Sequence, residues 1–267
     1  MKTSFVAAVL TAFLSAVSAA RAQEIVTLST RDGATQSFLL TAPAGDKPAA
    51  AAILLPGGPG LIRLRSEGGR IRFGEGNFLV RSRQLFVERG LVAAVMDSPS
   101  DQPQGMDDGF RLGDKHATDI RRVAEDLTRR FPGIPVFLVG TSRGTVSAAA
   151  AGRALGESVA GVVLTSTLFV GGGRSGPGLS GFDFKTIRAP VLFVHHADDG
   201  CRYTPYRDAK NLSAQFALIS VNGGDPARSN PCEPFSAHGY LGKETETVDA
   251  LVNWMLKKPY RSNIGGN

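Results

Sequence analysis

Long apolar runs, cysteine, histidine and net charge are all in short supply in this chain. Past residue 22, no stretch is long and apolar enough to span a bilayer, which excludes membrane insertion by the body of the chain. Two cysteines, Cys201 and Cys232, allow at most one internal disulfide. Four histidines leave few candidates for any role that needs an imidazole. The net charge of +6 gives no case for nucleic acid as a partner. There is no nicotinamide or flavin motif, and hence no implied cofactor. No internal repeat, linker or cap-sized insertion interrupts the sequence. What remains is an ordinary globular composition, 42% apolar and 20% charged in 267 residues, enough for a full core.

The first 22 residues read as a secretory signal peptide. Met1-Lys2 supplies a short positive start, Phe5 to Val17 an apolar run, and Ala20-Arg21-Ala22 a small-residue cleavage site before Gln23. Cleavage near Ala22 predicts a periplasmic or secreted protein, with residues 23–267 as a single domain. Loss of Lys2 and Arg21 then leaves the exported form only mildly basic. In an oxidising compartment Cys201 and Cys232 are expected to pair; the alternative is two reduced thiols.

Apolar periodicity organises the rest. Glu24–Ser29 and Gln36–Thr41 read as a hairpin turned at Arg31-Asp32-Gly33. Ala49–Leu55, Leu91–Met96, Val136–Val139, Gly161–Leu164, Pro190–Val194 and Phe216–Val221 read as buried strands. Between them, Phe78–Arg89, Lys115–Phe131, Val146–Ala151, Tyr206–Leu212 and Glu244–Lys257 read as helices. Phe169–Ser180 is glycine-rich and reads as a flexible surface loop. Alternating strands and helices predict an α/β fold: a mostly parallel central sheet with helices on both faces. The segment Leu61–Arg83 carries Arg63, Arg65, Arg70, Arg72, Arg81 and Arg83, either as a solvated face or as an anion-attracting rim.

The run Val136-Phe137-Leu138-Val139 ends abruptly in Gly140-Thr141-Ser142-Arg143-Gly144. A G-x-S-x-G turn between a buried strand and a helix is the setting of a nucleophile elbow; the bland reading is a helix-capping serine. A serine hydroxyl is a poor nucleophile unless a base takes its proton, an acid orients the base and donors receive the oxyanion. Ser142, Asp199 and His238 occur in the order in which such a fold supplies those groups, each in a loop after an apolar strand.

On these residues the chain resembles the α/β-hydrolases along essentially all of residues 23–267. The elbow matches at Gly140, Ser142 and Gly144. Pro56-Gly57-Gly58-Pro59-Gly60 matches the oxyanion loop, with Pro56 where the family often has histidine. The resemblance implies oxyanion donors from the N–H groups of Arg143 and Gly58, with Gly57 as the neighbouring candidate. It places Asp199 on the catalytic acid of the segment Val191–Asp199, with Asp198 as the alternative. Among the histidines, His116 lies before the elbow and is expected at the surface. His195 and His196 sit on the acid strand, in packing or turn roles. His238 alone lies late enough to be the base. A Cys201–Cys232 bridge would then tie the acid loop to the histidine loop. His195, His196, Asp198 and Asp199 are metal ligands by type, but neighbours on a strand point to opposite faces, so no metal is expected.

These features imply a serine carboxylic-ester hydrolase with a small-molecule substrate and no cofactor. Arg143 could orient an anionic substrate or simply make a surface contact. The Pro-Gly-Gly-Pro-Gly loop also looks like that of prolyl aminopeptidases, which keeps an amide-cleaving enzyme open. So does a non-catalytic exported binding protein on the same fold. No pattern in the chain speaks to oligomeric state.

Overall fold

The computed structural model describes residues 23–45, 47–172 and 176–265. The expected signal peptide lies outside the described residues. The chain begins with strands β1 (Gln23–Arg31), β2 (Ala34–Thr41) and β3 (Ala50–Leu55). A small ribbon of β4 (Arg65–Glu67) and β5 (Arg70–Arg72) follows, then α1 (Phe78–Arg81), α2 (Arg83–Glu88) and β6 (Leu91–Met96). Helices α3 (Asp108–Leu112) and α4 (Asp114–Arg130) lead to β7 (Val136–Thr141), α5 (Gly144–Leu155), β8 (Gly161–Thr165) and β9 (Val191–His196). The chain closes through α6 (Tyr206–Leu212), β10 (Ala217–Val221), α7 (Glu244–Met255) and β11 (Asn263–Ile264).

Nine strands make one sheet in the order β1-β2-β6-β3-β7-β8-β9-β10-β11. The β1–β2 and β2–β6 pairs are antiparallel. Every pair from β6 to β11 is parallel. Alternation along each strand sends successive side chains to opposite faces. Ala51, Ile53 and Leu55 of β3 meet α4 and α5 residues such as Ile120, Val123 and Val146 on one face. Ala50, Ala52 and Leu54 meet Phe78, Phe86 and Leu251 of α1, α2 and α7 on the other. Small residues in β3 and α5 let the helices approach the sheet closely. Parallel pairing also puts the loops after β3, β7, β8, β9 and β10 on one edge, where ligands gather in such sheets.

One local expectation needs correction and two gain detail. The helix expected over Phe78–Arg89 breaks at Ser82, where Arg83 turns back to donate to the Val80 carbonyl at 2.9 Å and lies over the Phe73 ring. The arginine-rich segment is not uniform. Arg63, Arg65, Arg70 and Arg72 are exposed, Arg65, Arg70 and Arg72 of them on the ribbon, while Arg83 is buried. Finally, the glycine-rich stretch after β8 is anchored. Leu168 and Leu179 are buried, and the Gly178 N–H donates to Asp108 at 2.8 Å. Its residues 173–175 lie outside the described residues.

Candidate active site

At the end of β7 the backbone turns through Ser142 with φ 52°, a left-handed conformation that a non-glycine residue adopts only at a cost. The turn is held from both sides. Ser142 N–H donates to the Thr165 carbonyl at 3.0 Å, and the Ser142 carbonyl accepts from the N–H and hydroxyl of Thr145 at 2.9 and 2.6 Å. The flanking glycines are steric requirements. A Cβ on Gly140 would lie 2.4 Å from the Gly144 carbonyl oxygen, and one on Gly144 would lie 2.0 Å from that of Leu55. Arg143 caps α5, so its amide stands at the positive end of a 12-residue helix.

The glycine loop after β3 reaches the same point. A Cβ on Gly57 would sit 2.9 Å from the Thr141 carbonyl oxygen and 3.0 Å from Ser142 Cβ, so only glycine lets this backbone so near the serine. Among the described residues no hydrogen bond uses the Gly57 or Gly58 N–H.

Asp199 leaves the end of β9 and meets the loop after β10. Its Oδ2 lies 3.0 Å from His238 Nδ1. The same oxygen accepts from the Thr204 hydroxyl at 2.8 Å, and Oδ1 accepts from the Cys201 N–H at 2.9 Å. The Asp199 carboxylate is wholly buried and His238 is 5% exposed. Asp198 points elsewhere: it is exposed, and its N–H donates to His196 Nδ1. Cys201 and Cys232 are joined in a disulfide that ties the acid loop to the histidine loop.

His238 sits on a short 3-10 turn, Ala237–Gly239, capped by the Ser236 hydroxyl. Its carbonyl accepts from Ser166 Oγ at 2.8 Å. Tyr240, fully buried two residues on, receives the Ser166 N–H at its hydroxyl and donates to the Val194 carbonyl at 2.7 Å. Burial raises this phenol above its ordinary range. Arg81 donates to the Gly239 carbonyl at 2.6 Å and pairs with Glu244 at 2.9 Å, clamping the loop from α1. Nothing local in the sequence singles out Thr204, Ser166 or Tyr240; they matter because strand order brings them together.

The remaining histidines are structural in their contacts. His116, expected at the surface, is wholly buried, with Nε2 2.9 Å from Ser147 Oγ. Helix α4 presses it against α5, and a local reading could not show that packing. Burial first, then the nearby Arg111 and Arg31, hold it down to about 3. His195 accepts the Thr167 N–H on Nε2 at 2.8 Å and stacks on Phe169. Burial pulls it down to about 3, against the raising influence of Asp199. His196 Nε2 lies 2.7 Å from the Gly223 carbonyl oxygen. Among the described residues no group of three or more His, Cys, Asp or Glu could hold a metal ion.

Ser142 and His238 line one cavity of about 280 Å³, together with Gly57, Gly58, Asn77 and Glu233. Among the described residues Ser142 Oγ makes no hydrogen bond to His238, a looseness common in sites without substrate. Arg143 donates to the wholly buried Asp108 from Nε at 3.0 Å and Nη2 at 2.7 Å. That ion pair offsets the charge an anionic substrate would need. The pair also lines a smaller cavity of about 120 Å³, with Leu168 and Tyr203. Larger grooves near Trp254 and Tyr260 contain neither Ser142 nor His238.

No protein-family model matches this sequence, and no curated protein matches it by sequence. Solved structures do match its fold. Est1E from Butyrivibrio proteoclasticus is 16% identical, with a TM-score of 0.60 over 88% of this chain and 99% of its own. XC6422 from Xanthomonas campestris, described as an α/β serine hydrolase without lid, is 17% identical, with a TM-score of 0.57 over 85% and 94%. A dienelactone hydrolase from Anabaena variabilis is 14% identical, with a TM-score of 0.52 over 89% and 96%. The chain has the α/β-hydrolase fold.

Proposed function

We propose that this chain, an α/β-hydrolase by fold, is a serine hydrolase that cleaves small carboxylic esters. The observation that carries this reading is the 3.0 Å contact between His238 Nδ1 and Asp199 Oδ2, with the imidazole lining the cavity that holds Ser142 at the tip of its elbow. Asp199 accepts a hydrogen bond from Nδ1–H, which keeps the proton on Nδ1 and leaves Nε2 to act as the base. His238 takes the Ser142 proton as Oγ attacks the carbonyl carbon. The carbonyl electron pair moves to oxygen and is received by the N–H groups of Gly58 and Arg143, with Gly57 beside them. Collapse returns the proton from His238 to the leaving alcohol and leaves an acyl group on Ser142. Water, deprotonated by His238, then repeats the sequence and releases the acid.

The cavity favours a modest acyl group. About 280 Å³ is at the lower edge of ligand pockets in general. Glu233 on its lining and the Arg143–Asp108 pair favour a neutral ester over an anionic one. The exported form is residues 23–267, acting as one domain after cleavage near Ala22; the intact mass of the secreted product tests this.

A fluorophosphonate probe and p-nitrophenyl esters of graded chain length test the activity. Ser142 should be labelled, Ser142→Ala should not, and turnover should fall as the acyl chain lengthens. A feruloyl ester belongs in the panel because Est1E has been solved with ferulic acid bound. Turnover of prolyl amides but of no ester would favour an aminopeptidase. Absence of both labelling and turnover in the wild type would sink the reading.

A further inference from the structure

We infer that Asn77 is a third donor to the oxyanion, supplied by a side chain alongside the backbone amides. This rests on the reading of Ser142 as the nucleophile. Asn77 is the N-cap of α1, and its Oδ1 accepts the Leu79 N–H at 3.0 Å. That bond settles the orientation of the side-chain amide, since a flipped amide would set two donors against each other. The NH₂ group therefore faces away from the helix. Among the described residues it donates to nothing, and Asn77 lines the cavity with Gly57, Gly58, Ser142 and His238.

Its reach is defined by Gly57. Asn77 Nδ2 lies 3.5 Å from the point where a Cβ on Gly57 would be, and that point lies 3.0 Å from Ser142 Cβ. The amide and the serine thus border the same point beside Gly57. The mounting is rigid. Phe78, Leu79 and Val80 are buried, and the Phe78 ring lies 4.7 Å from Tyr240. Arg81 donates to the Gly76 carbonyl at 2.9 Å and to the Gly239 carbonyl at 2.6 Å, linking the Asn77 turn to the His238 loop. A donor fixed in advance stabilises charge that develops only in the transition state. Asn77 therefore acts on kcat rather than on substrate binding.

Aspartate and serine can both replace asparagine as the cap, but neither carries the amide donor. Measured on the full chain with a p-nitrophenyl ester, Asn77→Ser should lower kcat by about 100-fold, in the range seen for loss of one such donor. Asn77→Asp should lower it further, because a carboxylate repels the oxyanion. KM and Tm should move little in either. Undiminished kcat in N77S or N77D overturns the inference. A raised KM at constant kcat overturns it in favour of a ground-state contact, and a parallel fall of Tm and kcat in both variants in favour of capping alone. A wild type that turns over no ester and takes no fluorophosphonate overturns the serine-hydrolase reading itself, a separate result.

Discussion

Arg111 donates from Nη2 to the carbonyl of Gly58 at 3.0 Å, from a side chain that is 1% exposed. Its Nη1 donates to Ser147 Oγ at 2.8 Å, and Nη2 also faces the Pro56 carbonyl oxygen at 3.5 Å. In a planar trans peptide the C=O and N–H point in opposite directions. A Pro56 carbonyl facing Arg111 therefore leaves the Gly57 N–H on the side away from Arg111. Burial and then the neighbouring Arg143 lower Arg111 to about 9, so it stays cationic at neutral pH.

This geometry separates activity from stability at Arg111. The guanidinium carries a desolvation cost, and among the described residues Nε has no hydrogen-bond partner. Replacing Arg111 with an apolar side chain of similar volume removes that cost but takes a donor from the Gly58 carbonyl and Ser147 Oγ, an opposing cost of about 1–3 kcal/mol. Arg111→Met should change the urea midpoint little while lowering kcat at least about tenfold, as the oxyanion loop loses its anchor. Full kcat in this variant would show that the loop holds itself.

Thr204 holds the Asp199 carboxylate in place. Its hydroxyl donates to Asp199 Oδ2 at 2.8 Å in a wholly buried setting, 3.2 Å from His238 Nδ1. Thr204→Val keeps the shape and removes a bond to a charged group, worth about 1.5–3 kcal/mol. Stability should fall by an amount of that order, and kcat by about tenfold with KM nearly constant. Steady-state kinetics beside a denaturation curve checks both.

The disulfide should matter to folding and to chemistry together. Cys201 also donates its N–H to Asp199, and Cys232 lines the cavity. With 31 residues separating the two, chain entropy alone gives a loss of about 3–4 kcal/mol when the bridge is removed. The paired variant C201S/C232S should unfold at lower urea and lose part of its kcat. Two titratable thiols in the native protein would contradict the bridge directly.

Acid should destabilise this protein through its buried histidines. His116 and His195 bind a proton near 6.5 when unfolded but only near 3 when folded. Between those values the unfolded chain holds more protons, so stability falls as pH drops from about 6.5 to about 3 and levels below that. Each histidine contributes up to about 1.4 kcal/mol per pH unit. Urea midpoints at several pH values should show a shallower acid slope in His116→Gln. An unchanged slope would mean His116 can take up its proton while folded.

Much of the architecture was legible because it depends on short-range pattern. Apolar runs such as Ala49–Leu55 and Leu91–Met96 lie within a residue of the observed strands, and the central helix is displaced by one residue at each end. The exposed ribbon Arg65–Arg72 and the two-residue β11 escaped notice, since neither carries an apolar run. The break in Phe78–Arg89 leaves no trace in the linear pattern, because no glycine or proline marks it and Arg83 packs there against Val80 and Phe73.

By itself the sequence determined the strand–turn–helix pattern around Ser142 and the local demand for Gly140 against Gly144, whereas the demand for Gly144 comes from Leu55 on β3. It also determined the strand–helix alternation and the order of Ser142, Asp199 and His238. Only the tertiary structure separates the surroundings of Asp199 from those of Asp198. One residue's difference at a strand end sends one carboxylate to His238 and leaves the other exposed. Tertiary packing alone buried His116, joined Arg143 to Asp108, set Arg111 behind the glycine loop and brought Asn77 beside Gly57. Such contacts join segments tens of residues apart. They depend on strand order and loop closure, whereas a linear pattern records local geometry and which faces must leave water.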